Sequence, residues 1–268
     1  MMTLVYVILA LLVLWLIALV PKLPRRPLGR LADFDYAHRG LWNKERPENS
    51  LAAFKAAVDH GFGIELDVHL TKDDQLVVFH DDTLKRMCGD DRRVENLTLA
   101  ELRQFRLNGT EHGIPTFSEV LKTVQGRTPL LIEIKMDKRL DDLCSHVNDA
   151  MTAYGHADMW MMESFHPLAV KWFRKNAPQV IRGQLAYGLR IRKKRRALDY
   201  FVASLLSIVL SRPDFVAYCA ADEPSLPMKW IRCLRPWLVA WTVRTQEQFT
   251  ALHGKYDLQI FEGFIPKR

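Results

Sequence analysis

Between Met1 and Val20 the chain carries no charged side chain. No basic stretch precedes this run and no small-x-small site closes it, which argues against a cleaved signal peptide. Cysteine is scarce: Cys88, Cys144, Cys219 and Cys233 are scattered without C-x-x-C spacing, and read as free thiols in a reducing compartment. There is no G-x-G-x-x-G and no P-loop, so nothing supports a doubly wound nucleotide-binding sheet. Internal repeats and low-complexity tracts are missing. Basic residues are not interleaved with aromatics, which leaves nucleic acid out as a partner despite a net charge of +7.

What is present is a globular composition, 49% hydrophobic and 26% charged over 268 residues. That length suits one domain of about 200–250 residues with an appendage. Leu4 to Val20 is almost wholly Leu, Val, Ile and Ala. A bilayer core takes roughly 20 apolar residues in a helix, with a lower limit near 17. Pro21 ends the run, and Lys22, Arg25, Arg26 and Arg30 follow. The expectation is a transmembrane anchor over residues 1–20, a basic juxtamembrane linker over 21–32 and a main domain over 33–268. Positive charge on the C-terminal flank alone would put that domain in the cytoplasm of a single-pass cell-membrane protein.

Beyond the linker, short β-like runs alternate with helical ones. Eight candidate strands are Phe34–His38, Gly63–His69, Leu130–Lys135, Met159–Ser164, Val180–Ala186, Phe215–Tyr218, Leu238–Val243 and Leu258–Phe261. Helical patterns such as Ser50–His60, Phe117–Val124, Leu140–Tyr154, Pro167–Asn176 and Gln246–His253 separate most of them. This alternation predicts a TIM-like (β/α)8 barrel of the α/β class. One segment breaks it. Gln75–His80 follows the second strand too closely for a crossover helix, so an extra β-hairpin is expected. A turn centred between Lys72 and Asp73 would set Glu65 opposite His80 and Asp67 opposite Val78.

Several residues carry chemistry. On a strand, positions i and i+2 share a face, so Glu65, Asp67 and His69 point one way and Ile64, Leu66 and Val68 the other. Two carboxylates at this spacing suit Mg²⁺ or Ca²⁺. Glu133 and Lys135 repeat the pattern at the end of an apolar strand, offering a third carboxylate and an ammonium for a phosphate oxygen. His38 and Arg39 close the first strand, as a general base and a phosphate-binding guanidinium. His80 is a second imidazole candidate, and Trp241 could wall a substrate cavity.

These motifs together resemble the glycerophosphodiester phosphodiesterase family. The resemblance rests on Ala37-His38-Arg39-Gly40, Pro47-Glu48-Asn49-Ser50, Ile64-Glu65-Leu66-Asp67-Val68, Val77-Val78-Phe79-His80-Asp81, Leu97-Thr98-Leu99-Ala100-Glu101-Leu102, Ile114-Pro115-Thr116-Phe117, Ile132-Glu133-Ile134-Lys135 and Trp241-Thr242-Val243, in order. It implies a TIM-like barrel and a divalent metal held by Glu65, Asp67 and Glu133. His38 and His80 would be the acid–base pair, with Arg39 and Lys135 on the phosphate and Asn49 beside the site. Two departures concern the barrel mouth. The family usually closes with Asp-Gly-x-x-x-Asp-x-Pro, where this chain has Phe261-Glu262-Gly263-Phe264-Ile265-Pro266, and Arg244 stands where Asn is common.

The substrate expected is a glycerophosphodiester, either a soluble glycerophospho-alcohol or a lysophospholipid. A basic run at Arg190–Arg196 leading into apolar Ala197–Leu210 suggests a second membrane contact at Arg190–Leu210. The competing readings are a phosphatidylinositol-type phospholipase and a non-catalytic, lipid-binding membrane barrel.

Overall fold

The computed structural model describes residues 2–18, 20–22, 25–136, 138–188, 197–222 and 225–267. Nine strands form one sheet: β1 (Tyr36–His38), β2 (Gly63–Leu70), β3 (Leu76–Val78), β4 (Leu130–Ile134), β5 (Trp160–Ser164), β6 (Ile181–Ala186), β7 (Phe215–Cys219), β8 (Trp237–Val243) and β9 (Leu258–Phe261). All but β3 pair in parallel, and β1 bonds both β2 and β9, so eight strands close into a barrel. Each expected barrel strand coincides with an observed one to within two residues. Helices at Leu51–Asp59, Phe117–Val124, Leu140–Tyr154, Pro167–Asn176 and Gln246–Leu252 match the expected ones, and Leu226–Leu234 adds another. Their ends have local causes. Ser50 caps the first by accepting from the Ala53 N–H, and Thr116 with Glu119 forms a reciprocal capping box on the second.

Two-residue alternation sorts the strands into an outer and an inner face. Ile64, Leu66, Leu130, Ile132, Val216 and Ala240 pack outward against the helices. Tyr36, Leu131, Met161, Phe215, Val239 and Leu258 fill the lower interior. Space there is so tight that two inward positions carry glycine. A Cβ on Gly63 would sit 2.8 Å from the Tyr36 ring, and one on Gly183 would overlap the Phe215 ring.

Leu28 and Leu31 close the barrel floor from below. The basic residues around them are engaged with the barrel. Arg26 grips Asp214 at 2.5 and 2.8 Å and the Val180 carbonyl at 2.8 Å, and Lys22 lies 3.5 Å from Asp214. Arg25 stacks 3.2 Å from the Trp237 ring centre.

These contacts bear on the expected anchor, which the structure overturns. The N-terminal helix runs Met2–Ala18, 17 residues. Among the described residues no helix is long and apolar enough to cross a membrane, so the single-pass membrane location is not supported. The carbonyls of Ile17 and Val20, at the C-terminal end of the apolar run, accept from Arg212, which ties this end to the barrel.

The second membrane contact fares no better. Arg190–Arg196 lie outside the described residues. The run after them folds onto the barrel: Ala197–Ala203 is helical, and Val202, Leu205 and Ile208 are buried in the core. Their apolar surface is therefore used in packing.

The hairpin forms, with its register displaced by one residue. Val68 pairs with Val78 and Leu70 with Leu76. The cause is a three-residue loop in place of a two-residue one. Asp74 adopts a left-handed conformation (φ 60°), and the Gln75 N–H bonds back to Thr71 Oγ1 at 2.9 Å. Asp67 consequently accepts from the Phe79 N–H through its carbonyl, and His80 lies one step past the expected position.

Because the Phe215 ring occupies the volume a methyl would need, Gly183→Ala is expected to destabilise the barrel by about 1–3 kcal/mol. Thermal melting checks this, and an unchanged Tm would show that the Phe215 ring can yield.

Candidate active site

The inward alternation that fills the floor with hydrocarbon places charged groups at the C-terminal strand ends. In the upper interior stand His38 on β1, Glu65 and Asp67 on β2, Glu133 on β4, Glu163 on β5 and Trp241 on β8. The parallel register sets Asp67 beside Glu133 and Glu133 beside Glu163. One oxygen from each of Glu65, Asp67 and Glu133 falls within a 4.8 Å cluster. Direct pairing of β2 with β4 thus converges carboxylates that lie far apart in sequence.

Burying so many acids is costly, and the cations show how the cost is offset. Lys135 Nζ lies 2.7 Å from Asp67 and 2.8 Å from Glu133. Asn49 Nδ2 donates to Asp67 at 2.8 Å, and the Arg39 N–H donates to Glu65 at 3.0 Å. Arg39 reaches its position through a left-handed backbone (φ 58°), as does Asn49 (φ 56°), whose N–H bonds the Arg39 carbonyl. Strained backbone held by surrounding bonds is common where side chains must be aimed. Glu48, buried at the rim, joins Arg39 (2.9 Å) to Arg86 (2.6 Å).

Protonation follows this layout. Burial works against ionising Asp67, but Lys135, His80 and Arg39 overcome it and hold its pKa well below the usual range. Glu65 goes the other way, pushed well up by burial and by Asp67, Glu163 and Glu133. Burial and neighbouring acids likewise raise Glu133 and Glu163. The cluster therefore holds more acid than its cations balance. Three hard carboxylate oxygens at this spacing fit a divalent metal ion.

His38 and His80 line one cavity of about 340 Å³ with Glu65, Glu133 and Trp241. Burial keeps His38 below its ordinary pKa, hence neutral near pH 7. Its Nδ1 makes a short hydrogen bond to Glu262, while Nε2 faces Glu65 at 3.9 Å. Burial opposes the charge on Glu262, yet the His38 bond and Arg244 bring its pKa down to about 2. The assigned tautomer is thus Nδ1–H on an ionised carboxylate, with a free lone pair at Nε2. His80 Nδ1 is held at 2.5 Å by Asp81, which Arg86 also binds. Trp241 packs edge-on against Phe165, 5.5 Å between ring centres.

All the residues singled out in the sequence gather at this one end of the barrel. Glu262 and Glu163 had no assigned part. The two departures from the family pattern prove to be partners, since Arg244 Nε lies 3.3 Å from Glu262. Glu163 had a readable signal, a lone acid at an inward position of an apolar strand, like Glu133.

A closed parallel barrel with acids, imidazoles and guanidinium groups collected at its C-terminal mouth has the layout of a barrel enzyme for a phosphorylated substrate. The comparisons sharpen this. Residues 38–254 match the glycerophosphoryl diester phosphodiesterase family, and the chain belongs to that family of phosphoric diester hydrolases. A Bacillus subtilis protein provisionally named a glycerophosphodiester phosphodiesterase is 30% identical over 81% of this chain and 89% of its own length. A human lysophospholipase D is 31% identical over 72% of this chain and 63% of that protein. Among solved structures, an Oleispira antarctica phosphodiesterase in complex with the product sn-glycerol-3-phosphate superposes with a TM-score of 0.71. It is 21% identical and covers 85% of this chain and 92% of its own. At that identity the likeness speaks for the fold.

The crowded acids give a pH-dependent prediction. The raised pKa of Glu163 means its contribution to stability is full below its unfolded pKa and lost as pH climbs through the folded one. Glu163→Gln should therefore stabilise the metal-free protein at pH 7.5, by about 1–3 kcal/mol for a buried unpaired group, with the gain shrinking towards pH 4. Paired melts at the two pH values test this, and a gain independent of pH would contradict it.

Proposed function

We propose that the protein hydrolyses glycerophosphodiesters, soluble glycerophospho-alcohols or lysophospholipids, to an alcohol and a glycerol-phosphate-type product. The observation that carries this reading is the sharing of one cavity by two imidazoles and the three-carboxylate cluster. The names of the relatives point to both substrate types.

In this reading Glu65, Asp67 and Glu133 hold a divalent ion, Mg²⁺ or Ca²⁺, which supplies positive charge against the phosphoryl oxygens. Arg39 and Lys135 add fixed cationic donors on the same oxygens. His38, neutral and anchored at Nδ1, takes the nucleophile's proton at Nε2. The nucleophile is water, or the adjacent glycerol hydroxyl, which would expel the alcohol and form a cyclic phosphate that water then opens to the glycerol phosphate. His80, oriented by Asp81, hands a proton to the departing alcohol. Trp241 and Phe165 form an apolar wall that keeps solvent from one side of the reacting centre.

The test is a substrate panel with chelator controls: glycerophosphocholine, glycerophosphoethanolamine, glycerophosphoglycerol and the corresponding lysolipids. Turnover should vanish on complete metal removal and return with Mg²⁺ or Ca²⁺, and hydrolysis that survives removal would sink the metal assignment. His38→Ala and His80→Ala should each lower kcat about 10²–10⁴-fold, the usual range for a lost acid or base. Near-wild-type turnover in either variant removes that residue from the role.

A further inference from the structure

Glu163 is a buried carboxyl that the chemistry above leaves without a task. Its side chain is 1% exposed, and its Oε2 has no hydrogen-bond partner. Buried polar atoms are almost always paired, so an orphan at a cavity wall calls for a partner that arrives from outside. Glu163 lines the same cavity as His38, Glu65 and Trp241. Its neighbours there divide into two kinds. On one side, across the strand register, lies Glu133 of the carboxylate cluster. On the other lie Phe165, Leu185, Cys219 and Trp241, none of which offers an oxygen acceptor, although the unpartnered Trp241 Nε1–H is a donor. A substrate arm leaving the phosphate along this aromatic wall therefore meets one buried carboxyl with an unpaired oxygen.

We propose that Glu163 is a specificity-determining residue that accepts a hydrogen bond from a hydroxyl of the substrate's glycerol arm. This rests on the glycerophosphodiester reading above. The chemistry is selective in the direction such a site needs. A buried group built to bond a substrate hydroxyl strongly disfavours an analogue lacking it, because the group is then left unpaired in the complex. Leaving the substrate hydroxyl without that partner in a buried site costs roughly 1–3 kcal/mol, about 10–100-fold in kcat/KM.

The experiment is a cycle between enzyme and substrate. The head group turned over fastest by the wild type is kept. The glycerol arm is replaced either by 1,2-propanediol, which lacks the terminal hydroxyl, or by 1,3-propanediol, which lacks the middle one. Wild type, Glu163→Leu, which has no acceptor, and Glu163→Gln, which keeps one, are compared on all three diesters, with thermal melts to verify folding and calorimetric Mg²⁺ affinity as a second readout. The expected result is a loss of about 10–100-fold for Glu163→Leu on the glycerol diester that disappears on one of the two deoxy substrates, with Glu163→Gln closer to wild type and Mg²⁺ affinity kept within about threefold. An equal loss on all three, or no loss on any, overturns the proposal. So does a collapse of Mg²⁺ affinity, which would make Glu163 a metal ligand. If the wild type hydrolyses none of the glycerol diesters, it is the underlying functional reading that fails.

Discussion

Asp67 lies under the barrel mouth almost out of reach of solvent, and still its surroundings favour the ionised form. Lys135 at 2.7 Å makes this possible, with Asn49 and Arg39 taking the other carboxylate oxygen. An isolated charge in that position would shift its pKa and neutralise. Because Asp67 stays charged, it fixes Lys135 against Glu133 and draws the Arg39 and Asn49 loops onto the end of β2. Left-handed backbone at both residues is sustained by these bonds. The site is thus built around one ion pair whose partners come from β2 and the end of β4, with the loops after β1 arranged to satisfy it.

Around that pair the acids are deliberately unequal. Glu65, Glu133 and Glu163 are pushed up by burial and by each other, whereas Asp67 and Glu262 are pulled down by cations or by a hydrogen bond from imidazole. Environments that separate pKa values in this way characterise functional sites. The outer shell extends the logic. Glu48 ties Arg39 to Arg86, Arg86 ties into Asp81, and Asp81 orients His80. The two imidazoles are anchored through Nδ1 by different carboxylates, Glu262 and Asp81. Their positions are therefore set independently, one by the strand closing the barrel and one by the hairpin.

The floor of the barrel shows the opposite use of charge. Arg26 and Lys22 converge on Asp214, Arg25 covers Trp237, and Leu28 and Leu31 seal the interior. In sequence these residues look like the positive flank of a membrane helix. A run of basic residues after an apolar stretch has the same composition whether it faces lipid headgroups or acids folded up against it. Only the positions of Asp214 and Asp257, nearly 200 or more residues away, distinguish the two. The same holds for Val202, Leu205 and Ile208, whose apolar surface the barrel covers.

Local chemistry determined much. Two-residue alternation with apolar runs marked all eight barrel strands, capping residues marked helix starts, and alternate acids on β2 and β4 marked an inward charged face. Those signals survive because strand parity and capping are properties of a few neighbouring residues. The one-residue displacement of the hairpin was not legible, since it depends on whether Asp74 turns left-handed within the loop. Nor was the contact of Glu262 with His38, or the meeting of Glu163 with Glu133. The first joins β1 to the end of β9, neighbours only once the barrel closes; the second depends on the parallel register of β4 and β5, which a crossover helix separates in sequence and packing across the interior sets. The sequence by itself determined which residues face inward; tertiary closure alone decided which of them meet.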